Sequence, residues 1–202
     1  MKTVLALMLL IGSGLVACQQ GDATLTPKDD VEALYQRFHG KYKVISSTSS
    51  QPLDVNFDGV SSNDLLKEIR DLNYSGASLE LRVKSVYGPV FLFSQAWPEQ
   101  YVRTYYGPTQ WNGWDTLSYN PTHLVSYANQ AGPYRFSFTD DLSQILVTAA
   151  GKADTIRWVK PESVFIEAKD RLRVTNKRRI YTRQGVKEVR ITTIYERFTI
   201  IT

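Results

Sequence analysis

The last strand-like segment, 186–199, has the cleanest period of two in the chain: Val189, Ile191, Thr193 and Tyr195 fall on one side, and Glu188, Arg190, Thr192 and Glu196 on the other. A period of two over that length fits a β-strand with one buried face and does not fit a helix. From residue 77 onward, β-branched and aromatic runs are cut by turn residues at short intervals. This predicts further strands near 77–86, 89–95, 99–105, 122–128, 133–139, 143–149, 155–159, 163–168, 171–176 and 179–183. Gln184-Gly185, between Arg183 and Val186, marks a hairpin turn. The chain is therefore expected to be mostly β and antiparallel. Two architectures suit so many strands: a closed barrel, which leaves no exposed edge, or an open β-sandwich with a helix on one face.

The front of the chain is built differently. Lys2 precedes an apolar run from Val4 to Ile11, and Gly12, Ser13 and Gly14 follow. That order describes a secretory signal peptide, and the run falls short of the ~20 apolar residues that span a bilayer. Leu15-Val16-Ala17-Cys18 resembles the lipobox of bacterial lipoproteins. The resemblance implies removal of residues 1–17, lipidation of Cys18 as the new N-terminus, and a small polar tether over 18–25. One domain over 26–202 follows, anchored to a membrane through its lipid. Gln19 stands where lipoproteins kept at the inner membrane usually carry Asp. The implied address is the outer membrane, on its periplasmic face or at the cell surface.

Cys18 is the only cysteine, so lipidation leaves no thiol for a disulfide, redox chemistry or a metal. Packing must hold the domain together, and an apolar content of 43% is enough for a real core. Charge is uneven along the chain: residues 151–202 hold 13 basic and 6 acidic side chains, against 11 and 14 in 1–150. In an exported protein whose bases are spread along strands, this reads as a solvated sheet face and not as a nucleic-acid surface.

Thr26-Pro27 suits a helix start, with Asp29 and Asp30 near the positive end of the dipole. Val31, Leu34, Tyr35 and Phe38 then form one apolar stripe, and Gly40 is a stop signal. His39 lies in the last turn, where its charge would face the helix C-terminus. Gly40-Lys41-Tyr42-Lys43-Val44 opens the first strand, running to about residue 48, and a second helix is expected over 62–72. A leading helix, Gly40-x-Tyr42 entering strand one, antiparallel strands and a late Arg197 resemble the lipocalin-like barrels. In that family a Gly-x-Trp begins the first strand and a late Arg packs across the aromatic ring. Tyr42 stands in place of that Trp, and Arg197 is the implied partner.

Between strand one and the second helix lies Asp54-Val55-Asn56-Phe57-Asp58-Gly59-Val60, with Asp64 four residues on. Oxygen side chains at alternate positions before a glycine let a chain curl around a hard cation. The run resembles the EF-hand loop and, more closely, its dockerin variant, and the resemblance implies Ca²⁺ held by Asp54, Asn56, Asp58, the Val60 carbonyl and Asp64. It departs from the pattern at the twelfth position, which is Leu65, and at Phe57, where Gly or Asn is usual. The alternative is an Asx-rich turn followed by a helix cap. If bound, such an ion would be a structural clip and not a sensor.

Seven aromatics crowd residues 97–119, and Trp111 and Trp114, within Gln110-Trp111-Asn112-Gly113-Trp114-Asp115, are the candidate ligand-binding pair. Catalysis has little to draw on: two histidines, His39 and His123, and no nucleophile, zinc or phosphate-loop motif. Acid pairs such as Glu99 and Asp115 have no spacing that singles them out. The expectation is a non-enzymatic, outer-membrane-anchored protein that holds a small apolar ligand or lipid in its barrel. The alternative is a structural or glycan-contacting surface module that uses the aromatic loop.

Overall fold

A computed structural model describes residues 28–74, 76–84, 91–149 and 159–202. The expected signal peptide, Cys18, the tether and the Thr26-Pro27 helix start lie outside the described residues, as does all but the last residue of the strand expected at 155–159. The elements in order are α1 (Lys28–Phe38), β1 (Gly40–Leu53), β2 (Ser62–Asp64), α2 (Leu65–Glu68), a 3-10 turn (Arg70–Asn73), β3 (Ser78–Arg82), β4 (Leu92–Arg103) and β5 (Thr109–Trp111). The second half is strand throughout: β6 (Leu124–Phe138), β7 (Ile145–Thr148), β8 (Ser163–Ala168), β9 (Arg171–Thr182) and β10 (Gly185–Thr199).

The sheet runs β7-β6-β4-β3-β1-β10-β9-β8, with β2 and β5 as short additions to β1 and β4. Every ladder is antiparallel. Apart from the two additions, neighbours in the sheet are neighbours in sequence, and the first strand pairs with the last. That is an up-and-down barrel. Its seam lies between β7 and β8, where Gln144 bridges Phe165 and the Ile166 amide donates to the Ser143 carbonyl at 2.9 Å. The barrel is thus nearly closed, and the open sandwich is set aside.

Several expected strands prove to be halves of one. β4 runs straight through Pro98, and β6 through Gly132-Pro133. Both prolines sit where a neighbour has already ended: β3 pairs with β4 only from Gln95 to Leu92, and β7 with β6 only over 135–138. A missing N–H there breaks no ladder. β9 likewise continues through Lys177-Arg178-Arg179, because Arg178 turns inward to a partner. The helix expected over 62–72 is replaced by β2, the four-residue α2 and the 3-10 turn, in which Leu65, Ile69 and Leu72 are buried and Leu66 is partly so. The hairpin turn is Arg183-Gln184, one residue early, and Gly185 at φ +85° opens β10.

The α1 end of the barrel is filled by Tyr42, Leu79, Leu81, Phe93, Tyr134, Phe136, Leu172, Val174 and Tyr195, with Leu34 and Phe38 of α1 laid over them. Each such side chain contributes roughly 1.5–3 kcal/mol on burial. A void of about 10 Å³ between α1 and the β8–β9 turn has room for one water. The far half is filled by Leu53, Val55, Leu65, Ile69, Trp97, Ile180, Val189 and Ile191. Between the two halves the core is polar. Gln95 Nε2 donates to Asn176 Oδ1 (3.0 Å) and to the Tyr195 hydroxyl (2.8 Å), and Arg178 pairs with Glu99 while lying 4.5 Å over the Trp97 ring.

His39 does not serve as the charge at the end of α1. It is buried, its Nδ1 accepts from the Val83 amide at 3.2 Å, and burial holds its imidazole below the usual range. Arg197 takes that role instead, donating to the carbonyls of Gln36 (3.0 Å) and His39 (3.2 Å).

Candidate functional site

β1 starts beside α1 and ends at Leu53, so its far end marks the opposite pole of the barrel. Three segments meet at that pole: the loop after β1, the long connection 104–123, and the Arg183-Gln184 turn.

In the first loop the polar side chains hold one another's backbone. Asp54 Oδ2 accepts from the Gly59 amide (3.0 Å), Asn56 Oδ1 from Asp58 (3.0 Å) and Asp58 Oδ1 from Val60 (2.7 Å); Asn56 Nδ2 donates to Asp58 Oδ2 (3.0 Å). These Asx turns draw Asp54, Asn56 and Asp58 into one curl. Phe57 takes the left-handed backbone, φ +63°, that its position requires, and Gly59 lies at +91°. Packing holds the strained phenylalanine in place: its ring lies 5.8 Å from both Tyr119 and Tyr181.

Asp64 stands apart from that curl. Its Oδ1 accepts from the Leu66 amide at 3.1 Å, which makes it the N-cap of α2. Val60 is exposed. The acid that does reach the loop is Glu68, unmarked by any spacing in the sequence. It is buried, and its Oε2 accepts from the amides of Val55 (2.8 Å) and Asn56 (3.4 Å). Among the described residues no group of three or more His, Cys, Asp or Glu side chains is placed to hold a metal ion.

The two tryptophans separate. Trp111 is buried at 4% exposure, donates through Nε1 to the Asp115 carbonyl (2.6 Å), and packs with Val102 and Tyr181. Trp114 is 58% exposed. The turn between them is fixed from the barrel wall, since Arg179 Nη1 donates to the Gly113 carbonyl at 3.3 Å. Two further rings stand in solvent at the β4–β5 turn: Tyr105 and the almost wholly exposed Tyr106, edge to face at 4.1 Å. Nothing in the sequence separates those exposed rings from the buried Trp111, because a loop has no period to read.

Tyr181 is the footing of this end. Gln100 accepts from its backbone amide (2.8 Å) and donates to its carbonyl (3.0 Å), a side chain standing in for a neighbouring strand beyond the reach of β8. Its hydroxyl accepts from the Asn120 amide (3.0 Å) and lies 2.9 Å from His123 Nδ1. Burial raises its phenol above the ordinary value. Inside the barrel, burial pushes Tyr195 up to about 12. His39 and His123 lie at opposite poles, and Glu99 is buried against Arg178 while Asp115 is exposed.

Compared with protein-family models, curated proteins and solved structures, the chain shows no match.

Proposed function

We propose that this chain is a membrane-tethered, non-catalytic binding module of the outer membrane that contacts glycans through the exposed aromatics of its 104–123 connection. The supporting observation is the contrast within that connection: Trp114 and Tyr106 stand 58% and 94% exposed while Trp111 is buried, and Trp111 and Arg179 hold the carbonyls of Asp115 and Gly113 on either side of Trp114. Amphipathic rings exposed to water offer apolar faces for sugar rings, and aromatic side chains lose little rotamer freedom on contact. Thr104, Gln110, Asn112 and Asp115 supply hydrogen-bonding groups around them. Among the described residues α1 lies at the pole opposite these rings, which keeps the aromatic end clear of it. An apolar ligand carried inside would need the space that Tyr42, Phe93, Tyr134, Trp97 and Tyr195 occupy, and this favours the surface reading over the carrier.

Affinity electrophoresis against mannan, xylan, glycogen and chondroitin sulfate tests the proposal. At least one polysaccharide should retard the wild-type protein, and Trp114→Ala should remove the retardation while shifting stability by no more than about 0.5 kcal/mol. Equal migration with and without all four polysaccharides, or an unaffected variant, contradicts it. In parallel, a fatty-acid probe should label the wild-type chain in cells and leave Cys18→Ser unlabelled.

A further inference from the structure

Building on the glycan reading above, we infer that Arg179 makes the aromatic end selective for acidic polysaccharides, by taking a sugar's carboxylate or sulfate beside Trp114. The outer face of β9 presents Arg171, Arg173, Thr175, Lys177 and Arg179 in alternation with the buried Leu172, Val174, Asn176, Arg178 and Ile180. Three of these outer bases are neutralised by neighbours: Arg171 by Glu196 (2.9 Å), Arg173 by Glu167 (2.9 Å) and Lys177 by Glu188 (2.6 Å). Arg179 differs from them. Its ladder partner is Glu188, and that carboxylate is the one Lys177 holds. Among the described residues Arg179 makes no ion pair, and its guanidinium uses one N–H, in the 3.3 Å bond from Nη1 to the Gly113 carbonyl.

That carbonyl belongs to the peptide bond that joins Gly113 to Trp114. The guanidinium therefore lies one peptide unit from the exposed indole. It is half-buried, so its charge is less screened than that of a base in open solvent. A guanidinium in that setting, with donors to spare, is completed best by an anion that meets its planar fork. Asp115, exposed on the same turn, makes no ion pair with it among the described residues. Arg103, exposed at the end of β4 against Thr109, adds a second base beside the connection. An apolar face for the sugar ring and a cation at its edge together match an acidic sugar, whereas a neutral one leaves the charge uncompensated.

Affinity electrophoresis separates the classes, with circular dichroism as the check on folding. The acidic polymers are chondroitin sulfate, which carries both anions, and desulfated chondroitin, which carries the carboxylate alone; mannan, xylan and glycogen are the neutral ones. Chondroitin sulfate should retard the wild type more strongly than any neutral polymer, and Trp114→Ala should abolish that retardation. Retention of desulfated chondroitin assigns the contact to the carboxylate, and its loss assigns it to the sulfate. Arg179→Gln keeps a donor for the Gly113 carbonyl and loses the charge, so it should weaken binding of chondroitin sulfate by about tenfold. Arg179→Lys, which keeps the charge without the fork, should weaken it less. Trp114-dependent retardation by a neutral polymer equal to that by chondroitin sulfate overturns the acidic class and leaves the aromatic site standing. So does wild-type affinity for chondroitin sulfate in a folded Arg179→Gln. If that variant fails to fold, wild-type binding of chondroitin sulfate that does not weaken between about 20 and about 300 mM NaCl overturns the class instead. Retardation by none of the five polymers, or retardation that Trp114→Ala leaves intact, overturns both readings.

Discussion

Tyr42 and Arg197 face each other across the ladder that joins the first strand to the last, and both reach the same helix end. Tyr42 donates its hydroxyl to the Phe38 carbonyl at 2.7 Å, while Arg197 donates to those of Gln36 and His39 and pairs with Asp170 in the β8–β9 turn. Gly40, at φ +140°, lets the chain pass between them, since a Cβ there would collide with the Thr199 carbonyl. Two side chains thus satisfy the Gln36 and Phe38 carbonyls at the end of α1 and tie it over the barrel. Arg197→Met should keep the packing and lose those bonds, lowering unfolding free energy by about 3 kcal/mol in urea titrations. Arg197→Lys should recover only part, because an ammonium lacks the planar fork.

The Arg178–Glu99 pair crosses the barrel interior with 3% and 9% side-chain exposure. Removing either side chain breaks a charge pair that lies out of water. Arg178→Met or Glu99→Gln alone should each cost about 3–5 kcal/mol, and the double variant less than their sum. Chemical denaturation of the four proteins in this cycle measures the coupling; additive losses would mean that the two charges do not depend on each other.

Acid should weaken the fold before the surface carboxylates titrate. Burial is the main cause of the lowered His39 pKa, Arg82 and Arg197 push the same way, and Glu80 opposes them. The unfolded imidazole takes a proton near pH ~6.5, above the folded one, so stability falls as pH drops from about 7 and the loss is complete below the folded value. Urea midpoints between about pH 7.5 and 5.5 should fall for the wild type and fall less for His39→Gln, which has no titrating ring. Parallel curves would place the acid sensitivity elsewhere.

The two tryptophans should behave oppositely in thermal melts. Trp111→Ala empties a packed position beside Val102 and Tyr181 and should cost about 3–5 kcal/mol. Trp114→Ala removes a half-exposed ring and should leave the melt nearly unchanged.

What could be read from the residues follows from periodicity. The long β10 was legible because its buried positions repeat every second residue, and β8 at 163–168 because a short β-branched and aromatic run stands between turn residues. Barrel closure was implied by a resemblance resting on Gly40, Tyr42 and Arg197; the sheet is nearly closed, and Tyr42 and Arg197 are partners in the ladder that joins its first and last strands. Strand lengths were not legible. Pro98 and Pro133 look like breaks until the endings of β3 and β7 are known, and those endings are tertiary facts. Arg178 falls in the inward register of Leu172, Val174 and Ile180, a signal that its charge obscured. Glu68 had no signal at all: its role depends on how α2 folds back on Val55.

An amide chemical-shift titration of the isotope-labelled protein with the retarding polysaccharide's oligosaccharides would locate the contact surface residue by residue. The largest changes are expected at Tyr105, Tyr106 and 112–116, with the interior amides of Gln95, Asn176 and Tyr195 unmoved. Changes centred on those interior residues, or none along the connection, would contradict a binding module that works from its exposed aromatic end.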